Sequence, residues 1–281
     1  MTHPAAPRTG ASTVSVVIPV KDDDRALRRC LDMLAKQTRT ADEIIVVDNG
    51  SSDASALVAR DAGARVVRCE RPGIPAASAT GYDAASGDVI LRLDADCVPA
   101  STWVDTMTDA FDRRPDVDAF TGHARFVDGP RVLRTVLAAM YLGFFGLVMV
   151  PTLGHAPLFG SNLAMRASTW RAVRDAVHQD DPEVHDDIDL AFHMGDVGRI
   201  RYLPRAGMGI SMRPFGDARS FARRIAMGFR TVIVHWPRDF PPKRWARRMR
   251  AARRMRAARR IRTVGAERAS SQGVGFAQRS G

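Results

Sequence analysis

Four short apolar runs rich in β-branched residues constrain this chain more than any other feature. They are VSVVIPV (14–20), EIIVVD (43–48), RVVRC (65–69) and VILRL (89–93). Runs of this kind, apolar throughout rather than alternating, fit strands covered on both faces. The segments between them have helical spacing. Leu27, Leu31 and Leu34 share a face within 23–37. Ser52 or Asp53 is placed to cap a helix that Gly63 ends, and 76–86 reads as a helix stopped by Gly87. Ser101 is placed to cap a further helix to about Arg114, and 118–127 is strand-like. Strand and helix in alternation predict an α/β fold, a Rossmann-like, mostly parallel sheet sandwiched by helices.

Such sheets bind ligands beyond the carboxyl ends of their strands. The acids follow that rule. Asp48 ends the second run, and Asp94 and Asp96 follow the fourth. The two ends are expected to share one rim.

With 281 residues, 45% hydrophobic and 26% charged, the chain can bury a real core. Collagen, coiled coil and wholesale disorder are excluded. Its cysteines, Cys30, Cys69 and Cys97, are odd in number and lack metal-ligand spacing. They argue against a disulfide scaffold or a structural zinc site and fit a reducing compartment. Residues 1–13 hold no apolar core of a secretory signal and are expected to be disordered.

The net charge of +11 is unevenly placed: residues 243–281 hold thirteen Lys or Arg against one acid, Glu267. Residues 14–242 therefore form a nearly neutral body, with a regular α/β half over about 14–127 and a less regular half over about 128–242. Residues 243–281 read as an appended basic tail, helical or disordered. A nucleic-acid binder should carry its basic stripes within the fold, which argues against that class. An anionic membrane surface suits the tail better, and a purely solvated tail is the plain alternative. Residues 135–150 (TVLAAMYLGFFGLVMV) carry no charge and are short of a bilayer span, so they read as a buried or interfacial helix.

Asp94 and Asp96 lie at i and i+2, which directs both carboxylates to one side of an extended stretch. A pair so placed can share Mg²⁺ or Mn²⁺ with the phosphate oxygens of a ligand. Asp48-Asn49-Gly50-Ser51 is turn chemistry except for Asp48, which directly ends a strand. Asp186, Asp187 and Asp189 open a helical segment; capping explains one acid, and another can act as general base. Gly160-Ser161-Asn162 by itself is an ordinary loop.

Taken in order, VSVVIPVKDD, DEIIVVDNGSSD, RPGIPAASATGYDAASGD, VILRLDADCVP, FGSNLAMR with Trp170, and HDDIDLAF followed by GRIRYLP resemble family 2 glycosyltransferases of the GT-A fold. The resemblance runs from Val14 to about Arg230. It implies transfer of a single sugar from a nucleotide-diphosphate donor to a hydroxyl of a saccharide or lipid-linked acceptor, metal-assisted and with inversion. It places Pro19 and Val20 in the nucleotide pocket, Asp48 on base or ribose, and Arg71 and Gly73 at the donor's border. Asp94 and Asp96 match the metal-binding DxD motif, Asp96 the stronger ligand. Gly160, Ser161 and Asn162 match the loop beneath sugar and acceptor. Asp187 matches the catalytic base, with Asp186 the alternative. One departure is plain: where many members have Ala-Arg-Asn-x-Gly, this chain has Ala77-Ser78-Ala79-Thr80-Gly81 and so lacks a cation near the donor. The processive synthases' Gln-x-x-Arg-Trp motif is missing too. The expected location is cytoplasmic, with the tail able to rest on the inner face of the cytoplasmic membrane. Two rivals remain, a GT-A-like scaffold without catalysis and a sugar-phosphate nucleotidyltransferase. VIPVKDDDR lacks the phosphate-loop glycines that the latter would show.

Overall fold

The computed structural model describes residues 12–130, 132, 134–213 and 217–250. The expected disordered N-terminus and most of the basic tail lie outside these residues. Strands β1 (Val14–Val20), β2 (Glu43–Asp48), β3 (Arg65–Arg68) and β4 (Val89–Arg92) alternate with helices α1 (Asp24–Leu34), α2 (Ser55–Asp61) and α3 (Ile74–Ala84). Then come β5 (Val98–Pro99), α4 (Trp103–Arg113), β6 (Ala119–Phe126), α5 (Arg134–Leu153), β7 (Leu163–Arg166), α6 (Ala167–Val173), α7 (Asp186–Val197), β8 (Ile200–Ile210) and α8 (Ala218–Val234). Residues 241–250 are again helical.

All eight strands form one sheet, in the order β3-β2-β1-β4-β7-β6-β8-β5. The β3-β2-β1-β4 half is parallel throughout. The other half is mixed, because β7 runs antiparallel to both β4 and β6, and β5 antiparallel to β8, while β6 and β8 are parallel. Along β1, Val14, Val16, Ile18 and Val20 belong to one apolar cluster and Val17 to the other. Each face is thus sealed, which explains the unbroken apolar runs.

Two helix starts differ from expectation. Neither Ser52 nor Asp53 is the residue before α2; that position is Ala54. Asp53 instead accepts from the Ser55 and Asp24 backbone N–H groups, and Ser52 donates to Asp22, so the segment ties two loops together. Likewise Thr102, not Ser101, precedes α4, with no side-chain cap bond. Turn-forming side chains satisfy whichever orphan N–H lies nearest, and sequence alone does not rank them.

The apolar stretch at 135–150 does form a helix, α5, but it is not buried. The apolar 18-residue window of this 20-residue helix has a mean hydropathy of 2.0 and is only 17% buried. By length and composition alone it is able to cross a bilayer. Val136, Met140, Phe144 and Leu147 stand more than half exposed along one side.

The basic segment also starts differently from its expected form. Arg244 is fully buried, bonding the Leu153 and Phe192 carbonyls and Asp239. Trp245 donates to the Pro151 carbonyl at 2.7 Å. Residues 243–250 therefore dock on the body, and only residues beyond 250 remain as a candidate tail.

Candidate active site

Because β2, β1 and β4 are parallel neighbours, their carboxyl ends lie on one edge, with Val20 in register with Asp48. Asp48 and the Asp94–Asp96 segment are thereby brought to one rim, as expected. Asp48 Oδ1 accepts the Ser51 N–H at 2.9 Å, closing the turn that follows β2. Val20 points into the core and is 4% exposed, so its side chain is no pocket lining; Pro19 is also buried.

Asn49, read from sequence as a plain turn residue, has a larger part. Its amide donates to the Cys69 and Arg71 carbonyls, and its oxygen accepts the Gly73 N–H at 3.0 Å. It fixes the course of the segment containing Arg71 and Gly73. Gly73 has φ +103°, and a Cβ there would meet Pro182 at 3.0 Å, so the position demands glycine. Arg71 pairs with Asp180 at 2.5 Å, tying this segment to the loop before α7.

The centre of the site is Arg92, the last residue of β4 and 2% exposed. Its Nη2 lies 2.9 Å from Asp94 Oδ1 and 3.2 Å from Asp186 Oδ2. Arg92 thus links the DxD segment to α7. It also keeps a cation in the place where Ser78 departs from the family pattern; Ser78 itself donates to Asp186 Oδ2 at 3.0 Å. Sequence reasoning missed Arg92, although a lone arginine ending the run VILR is the signal that would have found it. A Cβ on Gly160 would lie 1.5 Å from the Arg92 guanidinium, so glycine lets the two segments close up.

Gly160 donates its N–H to Asp187 Oδ2 at 2.7 Å, and Ser161 Oγ donates to Asp94 Oδ2 at 2.5 Å. The loop therefore touches both acid groups. Asn162 does not face a ligand. It is fully buried, accepting from Trp103 Nε1 and donating to the His123 and Ala206 carbonyls, and it anchors the loop from behind.

The two α7 acids are shifted in opposite directions. Burial raises Asp186 more than Arg92 lowers it, and the nearby Asp187 charge raises it further. Burial also acts on Asp187, but His185, with Nδ1 at 2.6 Å, and the Gly160 N–H outweigh it and hold the carboxyl below its ordinary value. Outside their mutual pair, neither His185 Nδ1 nor Asp187 Oδ1 has a hydrogen-bond partner among the described residues.

Asp94, Asp96 and Cys97 present ligand atoms within 4.8 Å of one another. Burial first, and the Asp94 charge second, raise Asp96. Cys97 is raised well above its ordinary value by burial and stays a thiol, so the oxygen donors are the two carboxylates. Around them stand Asp186 and Asp187, with Arg92 and Arg213 as the neighbouring arginines; Arg213 reaches Asp96 Oδ2 at 2.8 Å and also Asp23. Acids outnumber arginines, and two close carboxylates repel. That donor set fits a hard divalent cation.

Comparison with known proteins agrees with this geometry. Residues 15–180 match the family described as Glycosyl transferase family 2. Glycosyltransferase AglE of Haloferax volcanii is 34% identical over 100 residues, covering 33% of each chain. The undecaprenyl-phosphate 4-deoxy-4-formamido-L-arabinose transferase of Pseudomonas fluorescens is 37% identical over 93 residues, covering 30% of this chain and 27% of the relative. The matches thus span about a third or less of these relatives' length. Among solved structures, glucosyl-3-phosphoglycerate synthase from Mycobacterium tuberculosis, bound to Mn²⁺ and UDP-glucose, superposes with a TM-score of 0.55 at 22% identity, covering 80% of this chain and 79% of that one. S. aureus TarS gives a TM-score of 0.57 at 16% identity, covering 79% of this chain and 39% of its own. These likenesses establish a GT-A fold, and the family match over more than half of the chain establishes that it belongs to glycosyltransferase family 2.

Proposed function

We propose that the chain moves one sugar from a nucleotide-diphosphate donor to a hydroxyl of a saccharide or lipid-linked acceptor, with inversion. The observation that carries this reading is the convergence of Asp94, Asp96, Asp186 and Asp187 around Arg92 at the carboxyl end of β4. Asp48, Arg71 and Gly73 border the donor. Asp94 and Asp96 would hold Mn²⁺ or Mg²⁺, which when bound makes the diphosphate a better leaving group. The solved relative with Mn²⁺ and UDP-glucose supports that assignment by its fold alone.

Two neighbouring acids shifted in opposite directions point to distinct tasks. Asp187, held ionised, is the base that takes the acceptor hydroxyl's proton as that oxygen attacks the sugar C1 opposite the leaving group. Asp186, driven toward its neutral form, suits that task less. One displacement of this kind inverts the anomeric centre.

The acceptor side favours a lipid-linked substrate. Tyr141 on α5 sits in the field of Asp187: after burial, that carboxylate is what raises its hydroxyl. The same helix exposes Val136, Met140, Phe144 and Leu147, an apolar surface on the element that carries Tyr141. On α8, Ile225, Phe229 and Ile233 are exposed at four-residue spacing among Arg219, Arg223, Arg224 and Arg230. An apolar stripe bordered by arginines suits an anionic membrane interface, with the enzyme peripheral to it. Relatives named as undecaprenyl-phosphate sugar transferases lend weight to that choice.

The deciding experiment is nucleotide-sugar binding, read by thermal shift or calorimetry, with and without Mn²⁺. Asp96→Asn should weaken binding at least tenfold with Mn²⁺ and little without it, the size expected when one of two carboxylate ligands is lost. Equal binding by both proteins under both conditions would remove the DxD assignment.

A further inference from the structure

Asp189 and His193 of α7 belong, with His178 and His235, to a second cluster that the sugar-transfer reading does not use. His178, Asp189, His193 and His235 present Nδ1, Oδ1 and two Nε2 atoms, all within 4.8 Å of one another. We propose that these four residues bind one Zn²⁺, or a closely similar borderline dication, in a closed, four-coordinate, non-catalytic site. The inference stands apart from the reading of the donor site.

The distances suit it. With metal bonds of about 2.0–2.1 Å, a tetrahedron has edges of about 3.3–3.4 Å. Asp189 Oδ1 lies 3.3 Å from His235 Nε2 and 3.6 Å from His193 Nε2, and the two Nε2 atoms are 3.4 Å apart. His178 Nδ1 is closer to Asp189 Oδ1, at 2.7 Å, and its ring would withdraw by about 0.6 Å to complete the figure.

Protonation argues the same way. His235 Nδ1 lies 2.8 Å from the Thr231 carbonyl, which only accepts, so that nitrogen carries a proton. In the neutral ring, Nε2 then offers a lone pair, and it faces the carboxylate oxygen and a second imidazole nitrogen. Three ring nitrogens are thus turned toward one carboxylate oxygen. A ligand histidine whose other nitrogen donates to a backbone carbonyl is also the usual outer arrangement of a metal site. The remaining oxygen is occupied as well: Asp189 Oδ2 accepts the His178 backbone N–H at 2.8 Å, which aims Oδ1 into the cluster. The His235 ring is stacked on Phe192, 13° from parallel with centroids 4.0 Å apart.

Access exists through a cleft of about 330 Å³ lined by His178, His193, His235 and Trp236. Three imidazoles and one carboxylate favour zinc over magnesium or calcium. Cysteine spacing argued against structural zinc, but these ligands come from the loop before α7, from α7 itself and from the end of α8. Fastening those three segments would also fix the helix whose first turn carries Asp186 and Asp187.

The test uses the full-length, untagged protein, stripped with a chelator, incubated with Zn²⁺ and desalted before metal analysis. We expect about one zinc per chain and a raised unfolding temperature, as for a ligand that binds only the folded state. His193→Ala combined with His235→Gln should lose that zinc while circular dichroism stays native. Asp96→Asn should keep it. Wild type that retains no zinc, or a double variant that retains as much as wild type, overturns the proposal. Should the double variant fail to fold, Co²⁺-loaded wild type decides. Intense visible bands of four-coordinate cobalt support the site, and a pale six-coordinate spectrum overturns it.

Discussion

Arg92 and Arg244 are both sealed from water, and their surroundings treat them differently. Arg244 is saturated. It donates to the Leu153 carbonyl at 2.8 Å, the Phe192 carbonyl at 2.7 Å and Asp239 at 2.9 Å, with Asp196 at 3.2 Å and its guanidinium over the Phe192 ring. Arg92 is under-supplied. One nitrogen serves Asp94 and Asp186 together, while Nε is buried with no partner among the described residues. A buried cation whose donors are all used fastens structure. One with spare donors among surplus acids marks a place where the fold accepts poor satisfaction for the sake of a ligand. The donor half of the molecule and the part that docks its C-terminal helical residues differ in this respect.

The largest effect should come from the acid that the site holds ionised. Asp187→Asn is expected to keep the fold and donor binding but lower turnover by roughly 10²–10⁴-fold, the usual contribution of a positioned base. Steady-state rates of donor consumption, measured beside Asp186→Asn, check this. If Asp186→Asn is the crippling change, the roles of the two acids are exchanged.

Next come the two arginines. Arg244→Met leaves the Leu153 and Phe192 carbonyls without their donor and Asp239 with Arg247 alone, and should destabilise by about 3–5 kcal/mol in chemical denaturation. Arg92→Met strips the acids of a cation, so its loss should be partly restored by millimolar Mn²⁺, while that of Arg244→Met should not. Equal insensitivity of both variants to the metal would end the contrast.

A smaller effect is expected at the outer surface. Met140→Glu with Phe144→Glu on α5 should lower sedimentation with anionic vesicles about tenfold, since each buried apolar side chain is worth about 1.5–3 kcal/mol and only part of each would be buried. Removal of residues 251–281 should lower it further in a salt-sensitive way while leaving donor hydrolysis intact. Sedimentation unchanged by either alteration would detach membrane binding from both regions.

The smallest effect concerns the parallel half. Glu43 accepts from Ser15 and Ser86 and pairs with Arg65 at 3.0 Å; against the opposing pull of burial, these bonds bring it down to about 2. A carboxyl depressed on folding stabilises above its unfolded value and ceases to do so as pH falls through its folded value. The stability difference between wild type and Glu43→Gln should therefore be full above pH 4.5 and fade by about pH 2. A difference constant across that range would mean that Glu43 acts through packing alone.

The parallel half was legible because its signals are local. Each strand is an apolar run, Gly63 has the positive φ that a helix end calls for, Asp48 ends β2 and Asp94 follows β4 by two residues. The second half was less legible. The helix at 135–150 was legible, but the choice between a buried and an interfacial one was left open, because burial depends on what packs against a helix and hydropathy does not report it. Asn162 was matched to the substrate loop, and its neighbours turned its amide toward Trp103, His123 and Ala206 instead.

By itself, the sequence determined the α/β alternation, the rim on which Asp48, Asp94 and Asp96 stand, and the placing of Asp186 and Asp187 in the first turn of one helix. These follow from periodicity and from residues adjacent in the chain. The tertiary structure alone decided that Arg92 joins Asp94 to Asp186, that Gly160 and His185 hold Asp187 ionised, that Arg244 is core rather than tail, and that His178 and His235 meet Asp189 and His193. The reason is one of range. The contacts that join these segments, Arg92 with Asp186, Gly160 with Asp187, Arg244 with Leu153 and His235 with Asp189, link residues far apart in sequence, and a charge's state is set by the neighbours that folding brings to it.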